Sequence, residues 1–394
     1  MLAGDYPERV QVTRSGASGS PITFEAQGTV TMKGFTVKAD YISIIGFDIS
    51  NTYDDSTEGW GIFLKGSQCD IEDNYVHFAT RGGIVLFVEP GSYAATSDCV
   101  VRNNRLYRNA IVGIELHGRD NLIEGNDIWG TIQYHPNWSN PPNWVDADGM
   151  RVFGSGHTIR RNYIHDISFN DPENVDPHID CFQTWNDGSS HEAAHDTIFE
   201  QNACVEMESL STGETGHAFM LRGARNLIIR NNILQTFGGI NTGGGGNSNL
   251  IIVNNVFAGD LSSPLDRFPG AVGLENCPNS IVKNNIFYDQ PYHTLAVTGD
   301  RNGQEIDYNL AFRSDGQPSH CYAIDWACVN PPPEHHLWNI DPLFVDVAAG
   351  NFHLQPGSPA IDAGFPLAQV TNDFDGDPRP RGPGYDIGAF ETAP

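Results

Sequence analysis

Two segments one repeat apart, DADGMRVFG at 146–154 and DPHIDCFQTW at 176–185, concentrate the side chains best suited to move protons or hold a cation. Between them they carry Asp146, Asp148, Arg151, Asp176, His178, Asp180, Gln183 and Trp185. Carboxylates brought onto neighbouring strands repel one another. One then stays protonated near neutral pH beside an ionised partner, the pairing that general acid–base catalysis needs. The same oxygens suit a hard cation such as Ca²⁺, which takes several oxygen ligands. Taken singly, Asp146, Asp176 and Asp187 read better as turn residues than as catalysts.

The elements that position these residues follow from an internal repeat. The pattern "apolar, x, x, Asn, x, apolar" recurs in IEDNYV, VRNNRL, IEGNDI, IRRNYI, FEQNAC, IRNNIL, IVNNVF and VKNNIF. It places Asn74, Asn104, Asn126, Asn162, Asn202, Asn232, Asn255 and Asn285 in one column, 22 or 23 residues apart at the tightest and 30 to 40 elsewhere. A second pattern, "Gly, apolar, x, apolar", appears as GIFL, GIVL, GIEL, GMRV and GINT, with AFML as a variant. Short runs of alternating apolar residues between Gly and Asn turns, without helical periodicity, describe a solenoid of strands. Asn suits such turns because it tolerates left-handed backbone and its amide bonds to the copy in the next coil. The expected fold is all-β, a right-handed single-stranded parallel β-helix, its hand set by the general rule for parallel connections. One domain is expected over 1–394, with 1–38 as cap and entry strands, 39–312 as main coils with groove loops, and 313–394 as C-terminal coils and cap.

Stacking the second pattern aligns Asp148, Asp180 and His217 in one outward column, about 4.8 Å apart per coil. The next outward columns hold Glu115, Arg151 and Gln183, then Lys65, Phe87, His117, Phe153, Trp185 and Arg222. Three aligned titratable groups are harder to explain as turns than any one of them. Insertions at 131–145, 167–177, 186–196 and 206–215 flank these coils and are expected to wall a cleft. Trp129, Tyr134, Trp138 and Trp144 crowd the first of them and, with Trp185, offer flat faces for sugar rings or pack beneath their loop.

Acidic residues outnumber basic ones 49 to 22, a formal charge of −27, which argues against nucleic acid or anionic membranes as partners. A polyanionic substrate would need compensating cations. No apolar run approaches the ~20 residues of a membrane span. The N-terminus MLAGDYPERV does not read as a signal peptide, so a secreted or extracytoplasmic protein is expected with its signal peptide absent from this sequence. Seven cysteines leave at least one free or paired between chains. Cys321 and Cys328 suit a local disulfide; Cys69 and Cys99 occupy equivalent repeat positions. The run from Asp373 to Asp377 reads as a surface turn, because residue 384, where a Ca²⁺ loop would need a Glu, is Gly.

This organisation resembles secreted β-helix carbohydrate-active proteins over nearly the whole chain. Polygalacturonase-like glycoside hydrolases carry Asn-x-Asp, Asp-Asp and Gly-His-Gly on successive coils, and Asp146-Ala-Asp148, Ile179-Asp180 and Gly216-His217-Ala218 stand in the matching places. The resemblance implies that Asp148 and Asp180 activate water, that His217 supports them, and that hydrolysis inverts the anomeric centre. Ile179 replaces the family's proton donor, leaving Asp146, Asp176, Glu115, Glu206, Glu208 and His178 as candidates for that role. The Arg-x-Lys motif that grips a substrate carboxylate has no match. Pectate lyases offer a second template, in which Asp146, Asp148, Asp176 and Asp180 would hold Ca²⁺ and Arg222 would take the proton α to a uronate carboxylate. Asp176-Pro177-His178 is also similar to a motif of mannuronan C5-epimerases.

Three readings stay open. The first is a glycoside hydrolase acting on a polysaccharide or oligosaccharide without a required cofactor. Asp146, Asp148, Asp180, His178 and His217 would do the chemistry, and Glu115, Arg151, Gln183, Trp185, Arg222 and Trp144 would hold substrate. The second is a Ca²⁺-dependent lyase or epimerase on uronates, and the third a non-catalytic carbohydrate-binding module. Sugar, linkage and oligomeric state are not legible.

Overall fold

The computed structural model describes residues 1–394 apart from 53–58, 90–95, 137–145, 176, 189–190, 208–215, 262–269, 292, 320, 330–331 and 394. The chain divides into two compact units, Met1–Thr197 with Glu206–Leu210, and Ile198–Val205 with Ser211–Pro394. Each is a parallel β-helix whose coils contribute one short strand to each of three parallel sheets.

In the first unit the sheet that carries the candidate residues contains Trp60–Leu64, Gly82–Leu86, Val112–Leu116, Asp148–Val152 and Ile179–Thr184, each paired in parallel with the next. A second sheet contains Asp48–Ser50, Tyr75–His77, Arg105–Tyr107, Asp127–Trp129 and Tyr163–His165. Apolar side chains such as Ile62, Ile84, Ile114, Met150, Ile128 and Ile164 fill the bore and are essentially inaccessible to water. Burial of this continuous core is the main stabilising term, at roughly 25 cal/mol per Å² of apolar surface.

The asparagine column is the second stabilising device. Asn74, Asn104 and Asn126 each donate their backbone N–H to the side-chain oxygen of the next Asn at 3.0 Å. Their amides repeat the link at 2.9–3.0 Å. The second unit runs the same ladder through Asn202, Asn232, Asn255 and Asn285 and extends it to Asn309. The left-handed backbone lies one position earlier than expected, at Asp73, Asn103, Arg161, Asn231, Asn254 and Asn284. The ladder asparagines are selected for their buried amides, which satisfy backbone groups that water cannot reach.

The C-terminal segment does more than follow the last coil. Phe344, Phe352, Leu354, Ile387 and Phe390 pack against Ile233, Val256, Ile286 and Leu310, along the side of four successive coils of the second unit. The turn residues Gln201, Asn231, Asn254 and Asn284 hydrogen-bond to the carbonyls of Asp373, Asn372, Asp386 and Phe365 at 2.6–3.1 Å. Asp373, read as part of a surface turn, is buried and accepts the N–H groups of Asp377 and Glu391. The Cys321–Cys328 disulfide is present, and Cys69, Cys99 and Cys277 are free buried thiols. No helix among the described residues is long and apolar enough to cross a membrane.

Candidate active site

The glycine of the second pattern decides which side chains meet. A Cβ on Gly113 would lie 2.4 Å from Ile128 Cγ2, and one on Gly149 would lie 2.6 Å from Ile164 Cγ2, both core atoms. Gly149 therefore bends inward where two sheets approach, followed by the inward Met150. This double inward step leaves Asp148 and Arg151 on the same outward face three residues apart, a pairing that strict strand alternation forbids. Asp180 and Gln183 repeat the arrangement on the next strand.

Asp148 and Asp180, expected as the carboxylates that activate water, are wholly buried. One Asp148 oxygen accepts Arg151 Nε at 2.7 Å and the other the Asp180 N–H at 3.2 Å. Asp180 in turn accepts Gln183 Nε2 at 3.1 Å. Burial pushes the Asp148 carboxyl well above the usual carboxylate range; the Arg151 charge opposes this, while those of Asp146 and Asp180 reinforce it.

The accessible acids flank this buried core. Asp146, 20% exposed, faces Arg151 Nη2 at 3.5 Å and His178 Nδ1 at 3.6 Å. Burial raises its pKa against the opposing charges of Arg151 and His178. Glu115, 17% exposed, pairs across the sheet with Arg151 and contacts His117 Nε2 at 3.0 Å. Burial alone would raise Glu115, but the His117 hydrogen bond and the charges of His117, Arg151 and His191 hold its pKa at about 2. Arg151 thus stands between an acid that burial raises and one that is held low.

An aromatic stripe runs along the same face, with centroids 5.1 Å apart for Phe63–Phe87, 6.3 Å for Phe87–His117, 4.8 Å for His117–Phe153 and 4.6 Å for Phe153–Trp185. Trp185 is half-buried; Arg151 lies over its ring at 5.6 Å and His191 is 4.8 Å away. It walls the packed cluster more than it offers an open platform. Trp129 belongs to a different face, where it stacks on Tyr107 and His165 at 5.0 and 5.9 Å.

Of the expected site residues, Asp146, Asp148, Arg151, His178, Asp180, Gln183, Trp185 and Glu115 come together in the first unit. His217 and Arg222 belong to the second, where His217 lies 3.3 Å from Asn241 Nδ2 and Arg222 is exposed. Trp138, Trp144, Asp176 and Glu208 lie outside the described residues. Glu206 acts on Tyr163, on the neighbouring sheet. His117 and His191 join the cluster; His117 was visible in its column, whereas His191 arrives on a loop that the periodicity does not place.

Three of the four acids expected to hold Ca²⁺, Asp146, Asp148 and Asp180, are described, and each already has partners. Both Asp148 oxygens accept hydrogen bonds, Asp180 accepts one from Gln183, and the Arg151 guanidinium supplies positive charge between Asp146 and Asp148; Asp176, the fourth expected ligand, lies outside the described residues.

A family model described as "Right handed beta helix region" matches residues 11–128 and 92–311. Among solved structures, the chain is similar to pectate lyase Pel9A at 14% identity and TM-score 0.46, covering 99% of this chain and 84% of that one. It is similar to the PL6 family alginate lyase AlyGC at 13% identity and TM-score 0.52, covering 90% of this chain and 52% of that one. XylC in complex with xylose follows at 14% identity and TM-score 0.49, with 95% and 67% covered. No curated protein sequence matches the chain. At such identities the likeness is one of fold.

Proposed function

The chain belongs to the right-handed β-helix family, and from that premise we propose that its first unit hydrolyses a glycosidic bond of a polysaccharide or oligosaccharide on the outward face around Arg151. The observation that carries the reading is a pair of partly exposed acids beside one guanidinium whose pKa values are pushed in opposite directions: Asp146, 3.5 Å from Arg151 and raised by burial, and Glu115, paired with Arg151 across the sheet and held at about 2. Paired carboxyls driven apart in this way are the working parts of glycoside hydrolysis.

In this reading protonated Asp146 donates its proton to the leaving glycosidic oxygen. Ionised Glu115, oriented by His117, accepts a proton from the water that attacks the anomeric carbon. Asp148 and Asp180 act from beneath: Asp148 fixes Arg151, and Arg151 neutralises the cluster and donates to substrate oxygens. The disulfide at Cys321 and Cys328 supports an extracytoplasmic setting.

The test is digestion of neutral and uronate polysaccharides with and without EDTA, following reducing ends and the absorbance of unsaturated uronates. Reducing ends without that chromophore, unaffected by EDTA, are expected. A chromophore that EDTA removes would replace hydrolysis with Ca²⁺-dependent elimination, and binding without cleavage of any glycan would leave a carbohydrate-binding module.

A further inference from the structure

The same face of the first unit carries a second, chemically different feature. A cleft of about 270 Å³ gathers Lys38, Lys65 and Arg81 over an apolar floor of Trp60, Phe63 and Phe87, with Glu89 and Glu115 at its rim. Three basic side chains in one cleft stand out in a chain with 22 basic residues against 49 acidic ones. Lys65 is held by Glu89 at 2.6 Å, and Arg81 lies 6.0 Å over the Trp60 ring. Lys38 is exposed and has no ion-pair partner among the described residues. Trp60 and Phe63 are 5% and 7% exposed, a floor fixed by packing with Val85 and Val112. Cations above aromatic rings suit a sugar ring that bears an anionic group.

The cleft and the acids are connected. Glu115 borders both, and the stripe Phe63–Phe87–His117 runs from one to the other. Through the registers Leu64↔Leu86, Leu86↔Leu116 and Leu116↔Val152, Lys65 lies three coils from the strand of Asp148. Three steps of about 4.8 Å put them roughly 14 Å apart along the sheet, the length of about three sugar units. Basic side chains are therefore concentrated at one end of this face and acids around Arg151 at the other, with Glu115 bordering both. An anionic unit beside Glu115, which is held ionised, would meet like charge, whereas the same unit in the cleft meets three basic side chains, of which Lys65 is paired with Glu89.

We propose that the Lys38–Lys65–Arg81 cleft is a charge-reading subsite that selects a mixed glycan, with a carboxylate- or sulfate-bearing unit in the cleft and a neutral unit at the acids. The inference rests on the reading of the acid end as the cleavage site, and it adds the class of chain that is cut.

Calorimetry on the full chain carrying Asp146→Asn separates the two. The probes are uronate-substituted xylan oligomers, partly sulfated galactan oligomers, their esterified or desulfated counterparts, unsubstituted xylan and galactan oligomers, and oligogalacturonate. A mixed anionic oligomer of one of the two kinds is expected to bind best, which tells carboxylate from sulfate. Removing its charge, raising the salt, or introducing Lys38→Gln with Lys65→Gln should each weaken it by roughly ten- to a hundredfold. Lys65→Arg should keep the affinity, and the unsubstituted oligomers should not respond to any of these changes. Equal binding of the charge-blocked oligomer, an unchanged double glutamine variant, stronger binding of oligogalacturonate, or no binding of any anionic probe would each overturn the subsite. If the native chain cleaves nothing yet binding stays charge-selective, the subsite stands and the hydrolase reading falls. Cleavage with no charge preference has the opposite meaning.

Discussion

Asp148 and Arg151 face the same way from one strand, three residues apart, and are joined by a 2.7 Å hydrogen bond with the carboxylate fully buried. The inward bend at Gly149 makes this possible, and the pair organises the rest of the site: Asp180 donates its N–H to the same carboxylate, while Asp146 and Glu115 lie on either side of the guanidinium.

Removing Arg151 should therefore cost stability before it costs chemistry. Arg151→Met leaves Asp148 buried without its partner, a loss of about 3–5 kcal/mol for a broken buried pair. Asp148 escapes part of that penalty by staying protonated, so the loss should be smaller near pH 5 than near pH 8. Thermal unfolding at the two pH values checks this; an equal loss at both would show that the pair is not electrostatically coupled.

The pH dependence of stability should have two opposed components. Glu115, at about 2 in the folded protein against an ordinary 4.5, contributes stability that is present above the ordinary value and lost as pH falls toward 2. That contribution is up to about 3 kcal/mol at neutral pH, from 1.36 kcal/mol per unit. Asp146 and Asp148 are raised, so they remove stability as pH climbs from the ordinary 3.8 toward their folded values. Denaturant titrations should show Glu115→Gln with a shallower acid limb and Asp148→Asn with a flatter rise-side loss. Unchanged slopes in both variants would refute the assignments.

The asparagine ladder should be intolerant of truncation. Asn126 gives its amide to the Val101 carbonyl at 2.9 Å and accepts the buried Asn104 N–H at 3.0 Å. Asn126→Ala orphans groups in two coils and should cost about 2–4 kcal/mol, read as a lower unfolding midpoint. A change within about 0.5 kcal/mol, typical of surface positions, would contradict the ladder's role.

The C-terminal strap should depend on one ion pair. Arg379 Nη1 and Glu391 Oε1 are 2.6 Å apart with both side chains wholly buried. Arg379→Leu should cost about 3–5 kcal/mol and open residues 344–390 to protease, whereas Arg379→Leu combined with Glu391→Leu should cost less. Equal damage from the single and double variants would mean that packing, not the pair, holds the strap.

Much of this was legible in the sequence because solenoids write their period into it. The columns through Asn74 to Asn285 and through Asp148 and Asp180 follow from counting alone. Asn309 escaped because Ala311 replaces the bulky apolar residue that closes the pattern. The burial of Asp148 and Asp180 was hidden because strand alternation says nothing about a glycine bend that sets Arg151 beside Asp148. Trp129, left open between facing sugar and packing beneath its loop, lies in a column with Tyr107 and His165 on another face, a place that its adjacency to an insertion did not reveal. The strap was invisible because Asn231 and Asn254 meet partners 141 and 132 residues away, a separation no local pattern carries.

The measurement that tests the central claim most directly is cleavage by Asp146→Asn and Glu115→Gln of the preferred glycan and of its aryl glycoside, whose aglycone leaves without a proton. The account predicts that both variants lose about 10²–10⁴-fold in kcat on the natural glycan, and that the aryl glycoside rescues Asp146→Asn but not Glu115→Gln. Full activity of Asp146→Asn on the natural glycan, or equal rescue of both variants, would contradict it.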